Sequence, residues 1–227
     1  MSGPVFLSGS TMRHVMVMTS TSAVGLISLF AVDVFDIYFI TLLGDQRLVA
    51  AVGFAGSLQF FLLSLGIGLQ IALGALVSRS EGSGNRDQAG RLCSSALCFN
   101  AAVSIMLAAL TYWQLPSLLS LLGAEGQTLE YAVSYARILI PAVPLLVLGM
   151  SMSAGIRAVG DARRSMYATL YGALTNALLD PLFIFYLGWG IEGAAWASFA
   201  SRIVVFAYAA RVLFRVHGLP APTTVKR

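Results

Sequence analysis

Three acids and one arginine stand inside apolar runs long enough to cross a bilayer: Asp33, Asp36, Asp180 and Arg202. A carboxylate within a span costs on the order of 2.5–3.5 kcal/mol on insertion scales, so acids found there usually face the protein interior and mark ion or substrate paths. Asp180 belongs to NALLDPLFIF (176–185), four residues after Asn176. That spacing stacks the pair on one helical face, and Gly172 continues the row. Pro181 has no N–H and displaces the carbonyl of Ala177, leaving an acceptor free beside the acid. A carboxylate, an amide oxygen and a freed carbonyl make an oxygen-rich pocket that can bind Na⁺ or exchange a proton. The competing reading of a lone buried acid is glue between helices.

Asp33 is one turn from Asp36, near the same face, and close carboxylates suit proton exchange. Asp36 ranks above Asp33 as the coupling residue. Arg202 is expected to pair with Asp33, Asp36 or Asp180, or to snorkel toward the headgroups.

These residues need helices to hold them. The chain has 227 residues, 58% apolar and 11% charged, with a mean hydropathy of +0.82, outside the range of soluble domains. About 20 apolar residues cross the hydrocarbon layer, and such runs fall at about 16–43, 48–78, 92–114, 131–156, 166–187 and 193–214. The expected fold is all-α and polytopic, with six transmembrane helices in a lobe over 16–215, an N-terminal segment at 1–15 and a tail or linker at 216–227. The first run is too long for a signal peptide and carries acids. Asp36 lies eight residues before Gly44 and Asp180 eight before Gly188, which puts both roughly 12 Å below the same surface. Arg202 falls near that layer.

The net charge of +4 does not indicate a nucleic-acid partner, because the basic residues follow topology. Arg13, then Arg79, Arg86 and Arg91, then Arg157, Arg163 and Arg164, then Arg211, Arg215, Lys226 and Arg227 fall on one side. The positive-inside rule predicts a multi-pass inner-membrane protein with both termini cytoplasmic. Cys93 and Cys98, five apart, point about 140° from each other and predict neither disulfide nor metal site. His14 and His217 lie outside the spans, and no nucleophile has an adjacent base, so no catalytic residue is assigned and no enzyme is expected. An intramembrane aspartyl enzyme would need two carboxylates sharing a proton. No cofactor is expected beyond Na⁺ or H⁺ as coupling ion.

The second span has Ser64, Gly68 and Ala72 at spacing four, which predicts a helix sandwiched between neighbours. Pro141 and Pro144 bend the fourth. Phe60, Phe61, Tyr167 and Tyr171 are candidates for a cation-binding aromatic lining.

Two segments carry a family resemblance. DVFDIYFITLLGDQRLVAAVGFA is similar to the first helix and turn of the multidrug and toxic compound extrusion (MATE) family. GIRAVGDARRSMYATLYGALTNALLDPLFIFYLGWGIEGAAWASFASR resembles its stretch from the fourth to the sixth helix, including Gly-Asp, Asn-x-x-x-Asp-Pro and Gly-x-x-Gly-Ala-Ala. The resemblance covers most of 16–215. It implies a secondary antiporter expelling cationic or amphipathic compounds, driven by Na⁺ or H⁺ entry, through rocking of two six-helix lobes. It also implies a coupling site at Asp36, Asn176 and Asp180, with Tyr38, Ser198 and Ser201 as weaker carry-overs; Asp33 and Arg202 depart from the pattern. Family members have twelve helices, so the chain is expected to be a half-length product needing a second lobe or a homodimer partner. The alternatives are a non-transporting fragment and a lipid-linked oligosaccharide flippase. The flippase would line its cavity with several basic residues, whereas the sequence places only Arg202 deep.

Overall fold

The computed structural model describes residues 11–219. The expected N-terminal segment at 1–15 and tail at 216–227 therefore fall largely outside the described residues. Eight α-helices follow one another: α1 Thr11–Thr41, α2 Gln46–Gly82, α3 Arg86–Trp113, α4 Leu115–Leu121, α5 Gly126–Leu139, α6 Val143–Ala158, α7 Ala162–Pro181 and α8 Gly190–Arg211. Six helical stretches are long and apolar enough to cross a membrane, with α5 and α6 forming one of them, Gly126–Ala158. No strand occurs among the described residues.

The turns follow from side-chain chemistry. Asp45, Asn85 and Asp161 precede α2, α3 and α7, and their side chains accept from Arg47, Gln88 and Arg164 backbone N–H groups. These caps satisfy donors that a helix start leaves open. Gly44 and Gly188, where the first and fifth spans were expected to end, have φ of +79° and +69°, a region costly for residues bearing a Cβ.

The proline pair interrupts the fourth span as expected. Pro144 has no N–H for Ile140, so the Val143 N–H bonds the Ile140 carbonyl in a 3₁₀ turn over Ile140–Ala142. Pro181 closes α7, and a π-helical turn over Leu182–Tyr186 follows.

α7 packs between α1 and α8, while α2, α6 and α3 form the other side and α5 reaches both α2 and α8. In lipid the hydrophobic drive between helices is weak, so close approach and polar contacts hold the bundle. A Cβ on Gly193 would lie 2.7 Å from the Phe183 carbonyl carbon; α8 thus runs against the π turn backbone to backbone. Asn100 Nδ2 donates to Ser151 Oγ at 2.8 Å between α3 and α6, and Ser201 Oγ to the Gly172 carbonyl at 2.8 Å between α8 and α7.

The sandwiched second span is corrected. Only one side of α2 packs, with Gly66 and Gly74 close to Val147 and Ala154, while Gly53, Gly56 and Gly68 meet nothing within 4 Å. Phe61, Ile71 and Phe60 stand exposed on its other side. The row of Ser64, Gly68 and Ala72 does not make the close contact with α6; Gly66 and Gly74 beside it do.

Two large apolar cores result, beside a small cluster of Leu63, Leu146 and Met150. One gathers Ile40, Leu58, Leu115, Leu139 and Ile184, the other Leu73, Val77, Ile156 and Leu213. Among the buried polar residues outside these cores are Asp36, Asn176, Asp180, Ser198 and Arg202.

Candidate functional site

Asp36 from α1, Tyr135 from α5, Asn176 and Asp180 from α7 and Ser198 from α8 form one buried cluster. Asp36 is its acceptor. Tyr135 Oη donates to Oδ2 at 2.9 Å, Ser198 Oγ to the same oxygen at 3.0 Å, and Asn176 Nδ2 to Oδ1 at 3.2 Å. Asn176 Nδ2 also lies 3.1 Å from Ser198 Oγ and 3.4 Å from Asp180 Oδ1. One amide nitrogen has two hydrogens, and three acceptors face it. The longest contact, to Asp180, is the one left short of a donor.

Asp180 Oδ2 and Asn176 Oδ1 are buried with no hydrogen-bond partner, although buried acceptors are normally satisfied. The cluster holds more acceptor oxygens than donors can serve. A proton on a carboxyl, or a hard cation that prefers oxygen ligands, supplies the missing positive partner. Among the described residues no group of three or more His, Cys, Asp or Glu is placed to hold a metal ion; the site offers carboxylate, amide and hydroxyl oxygens.

The other candidates lie elsewhere. Asp33 is exposed to a cavity of about 320 Å³ and does not join the cluster. Tyr38 is exposed on α1, edge-on to Phe39 with centroids 5.4 Å apart. Ser201 ties α8 to α7 and lines the cavity.

The expected pairing of Arg202 is corrected. No carboxylate lies within 4.0 Å of it among the described residues; the ion pairs found there are Arg164–Asp161 and His217–Asp161. Its Nη1 donates instead to the Leu139 carbonyl at 3.0 Å. That carbonyl is available because Val143 bonds Ile140 in the proline-driven turn. The guanidinium closes the gap that the turn opens.

Phe60, Phe61, Tyr167 and Tyr171 are exposed and do not line this cavity. Cys93 is buried and Cys98 exposed, both free.

Two residues were missed. Tyr135 lies nine residues into α5, roughly 14 Å from its start, and the depth count applied to the acids would have placed it beside them. Arg157, read as a loop charge, lines the cavity; it is the last basic residue of α6, and only packing shows which way it turns.

Six membrane-length helices around a buried carboxylate cluster define a polytopic helical membrane protein built like a transporter lobe. A profile of the MatE family matches residues 21–182. The chain belongs to that family, the MATE transporters.

It is 31% identical over 215 residues to the FAD transporter of Shewanella oneidensis, covering 93% of this chain and 47% of that protein. It is 25% identical over 170 residues to the multidrug export protein MepA of Staphylococcus aureus, covering 75% and 38%. An outward-facing multidrug resistance MATE transporter superposes with a TM-score of 0.90 at 25% identity, over 99% of this chain and 50% of that one. A MOP superfamily transporter from Pyrococcus furiosus matches at a TM-score of 0.90, 25% identity and the same coverage. The chain spans about half the length of these relatives or less.

Proposed function

We propose that this chain works as one six-helix lobe of a secondary antiporter that exports amphipathic or cationic organic compounds against inward Na⁺ or H⁺. It lies in the cell membrane with both ends cytoplasmic, the side on which the basic loop residues gather. The observation that carries the reading is the donor deficit around Asp180 and Asn176 beside the well-donated Asp36. A mobile cation fits a site that lacks only a positive partner, and its arrival or departure changes the bonds joining α1, α7 and α8. Those bonds are the coupling element.

The acids are assigned to transport, in keeping with the MATE transporters among the chain's relatives. Alternating access needs two units moving around a site. The half-length match to the relatives supports a second lobe, from another chain or another copy. Cargo need not be a simple cation: the Shewanella relative is named for FAD, and the cavity here carries arginines.

Proteoliposomes containing the chain, loaded with a fluorescent amphipathic dye, test the reading under separate Na⁺ and pH gradients. Gradient-driven efflux that persists unchanged in both Asp36→Asn and Asp180→Asn overturns the coupling assignment. The gradient that drives wild-type efflux names the ion. Dye bound but not moved marks a lobe awaiting its partner.

A further inference from the structure

The cavity between α1, α2, α6, α7 and α8 is elongated. Along α1 its wall runs from Thr21 to Asp33, roughly 18 Å, and along α7 it runs from Ala162 to Ala173. Arg157 belongs to the end near Thr21 and Ser165; Asp33 and Arg202 belong to the other. Asp33 is the one carboxylate among the lining residues. The far end is therefore balanced in charge, and the near end is positive.

The near-end charge is held by neutral acceptors. Arg157 Nη1 donates to Ser165 Oγ at 2.8 Å and Nη2 to Gln70 Oε1 at 3.4 Å. Ser165 spends its own hydrogen on the Ser153 carbonyl at 2.9 Å, so toward Arg157 it only accepts. No carboxylate stands within 4.0 Å of Arg157 among the described residues. A guanidinium has five N–H donors in a planar fork suited to phosphate or carboxylate. Two contacts orient this fork and leave donors for a ligand in the cavity it lines. Leu63, Ile67 and Met150 add an apolar wall farther along.

We propose that Arg157 anchors an anion-binding subsite in this cavity, taking the phosphate or carboxylate of an amphipathic molecule whose apolar body lies along Leu63, Ile67 and Met150. As a statement about cargo this rests on the transport reading; as a statement about binding it stands without a gradient. The anion belongs either to a soluble solute or to a lipid headgroup.

Flavin mononucleotide and riboflavin share a ring and differ by a phosphate. Titration of each into the detergent-purified chain, followed by flavin fluorescence, isolates the anion. A charge-assisted contact predicts that flavin mononucleotide binds about tenfold tighter or more. Arg157→Gln should bring it down to the riboflavin level, and Arg157→Lys should restore part of the difference. Equal binding of the two flavins to the wild type, or a preference untouched by Arg157→Gln, overturns the subsite. The wild-type comparison, together with competition by inorganic pyrophosphate, decides the matter even where the glutamine variant does not fold. Nanodiscs of phosphatidylcholine with and without phosphatidylglycerol distinguish the sources. Flavin mononucleotide displaced by phosphatidylglycerol in the wild type assigns the site to a lipid headgroup, and undiminished binding assigns it to a solute. Loss of efflux in the Asp36 and Asp180 variants leaves all of these binding readouts unaffected.

Discussion

Asn176 Nδ2 on α7 lies 3.2 Å from Asp36 Oδ1 on α1, joining residues 140 apart in the chain. α1 packs mainly on α7, so this contact is central to how the first helix attaches. Asn176→Ala removes that donor and leaves a void at a fully buried position. A loss on the order of 1–3 kcal/mol is expected, read as earlier thermal unfolding in detergent. Asn176→Asp should be worse, since it sets a third carboxylate beside two. Unchanged melting in both variants would show that the amide does not tie the helices.

Gly193 tests the close approach of α8 to the π turn. An added Cβ would sit 2.7 Å and 2.8 Å from the carbonyl carbon and oxygen of Phe183, and backbone atoms cannot swing aside. Gly193→Ala should cost about 1–3 kcal/mol or more, seen as a lower folded yield on size-exclusion chromatography. Gly68→Ala, with nothing within 4 Å, is the control and should be neutral or slightly stabilising.

Arg202→Met leaves the Leu139 carbonyl without the donor now at 3.0 Å. The substitution also relieves the burial of a charge, so the net loss should be only about 1 kcal/mol. The specific sign is local: amide hydrogen exchange across Ile140–Leu146 should accelerate. Exchange confined to its wild-type rate would mean that the turn does not need this arginine.

His217 makes stability depend on pH at the end of α8. Its Nε2 lies 3.3 Å from Asp161 Oδ2, its carbonyl accepts from Arg86 Nη2 at 2.6 Å, and burial holds its pKa below the ordinary 6.5 against the opposing pull of Asp161. The folded chain therefore binds this proton less readily than the unfolded one. Stability is full above about pH 6.5 and falls as the pH drops toward the folded-state value. His217→Gln should flatten the melting temperature across that window; an unaltered slope would place the dependence elsewhere.

The span positions were legible because hydropathy is a property of consecutive residues, and a bilayer requires long apolar runs. Asn176 and Asp180 were legible as a pair because helical spacing stacks them. Asp36 reached the same layer by counting residues from a terminal glycine. The partnership of Asp36 with Tyr135 and Ser198 was not legible, because contacts across 99 and 162 residues depend on helix rotation. Arg202 shows the limit most plainly. Its charge predicts a carboxylate partner, yet two prolines on another helix expose a carbonyl at the right height, and the guanidinium goes there.

By itself the sequence determines that this is a multi-pass helical membrane protein with acids sunk in its spans. Composition, run length and proline or glycine placement act locally and need no tertiary information. The tertiary structure alone decided which acid is well donated and which is starved, that Asp33 faces a cavity while Asp36 faces a cluster, and that Arg157 points into that cavity. The reason is physical. Hydropathy sets whether a helix crosses the membrane, but its rotation and tilt come from close packing at glycines such as Gly193 and from hydrogen bonds that must find partners in a medium without water.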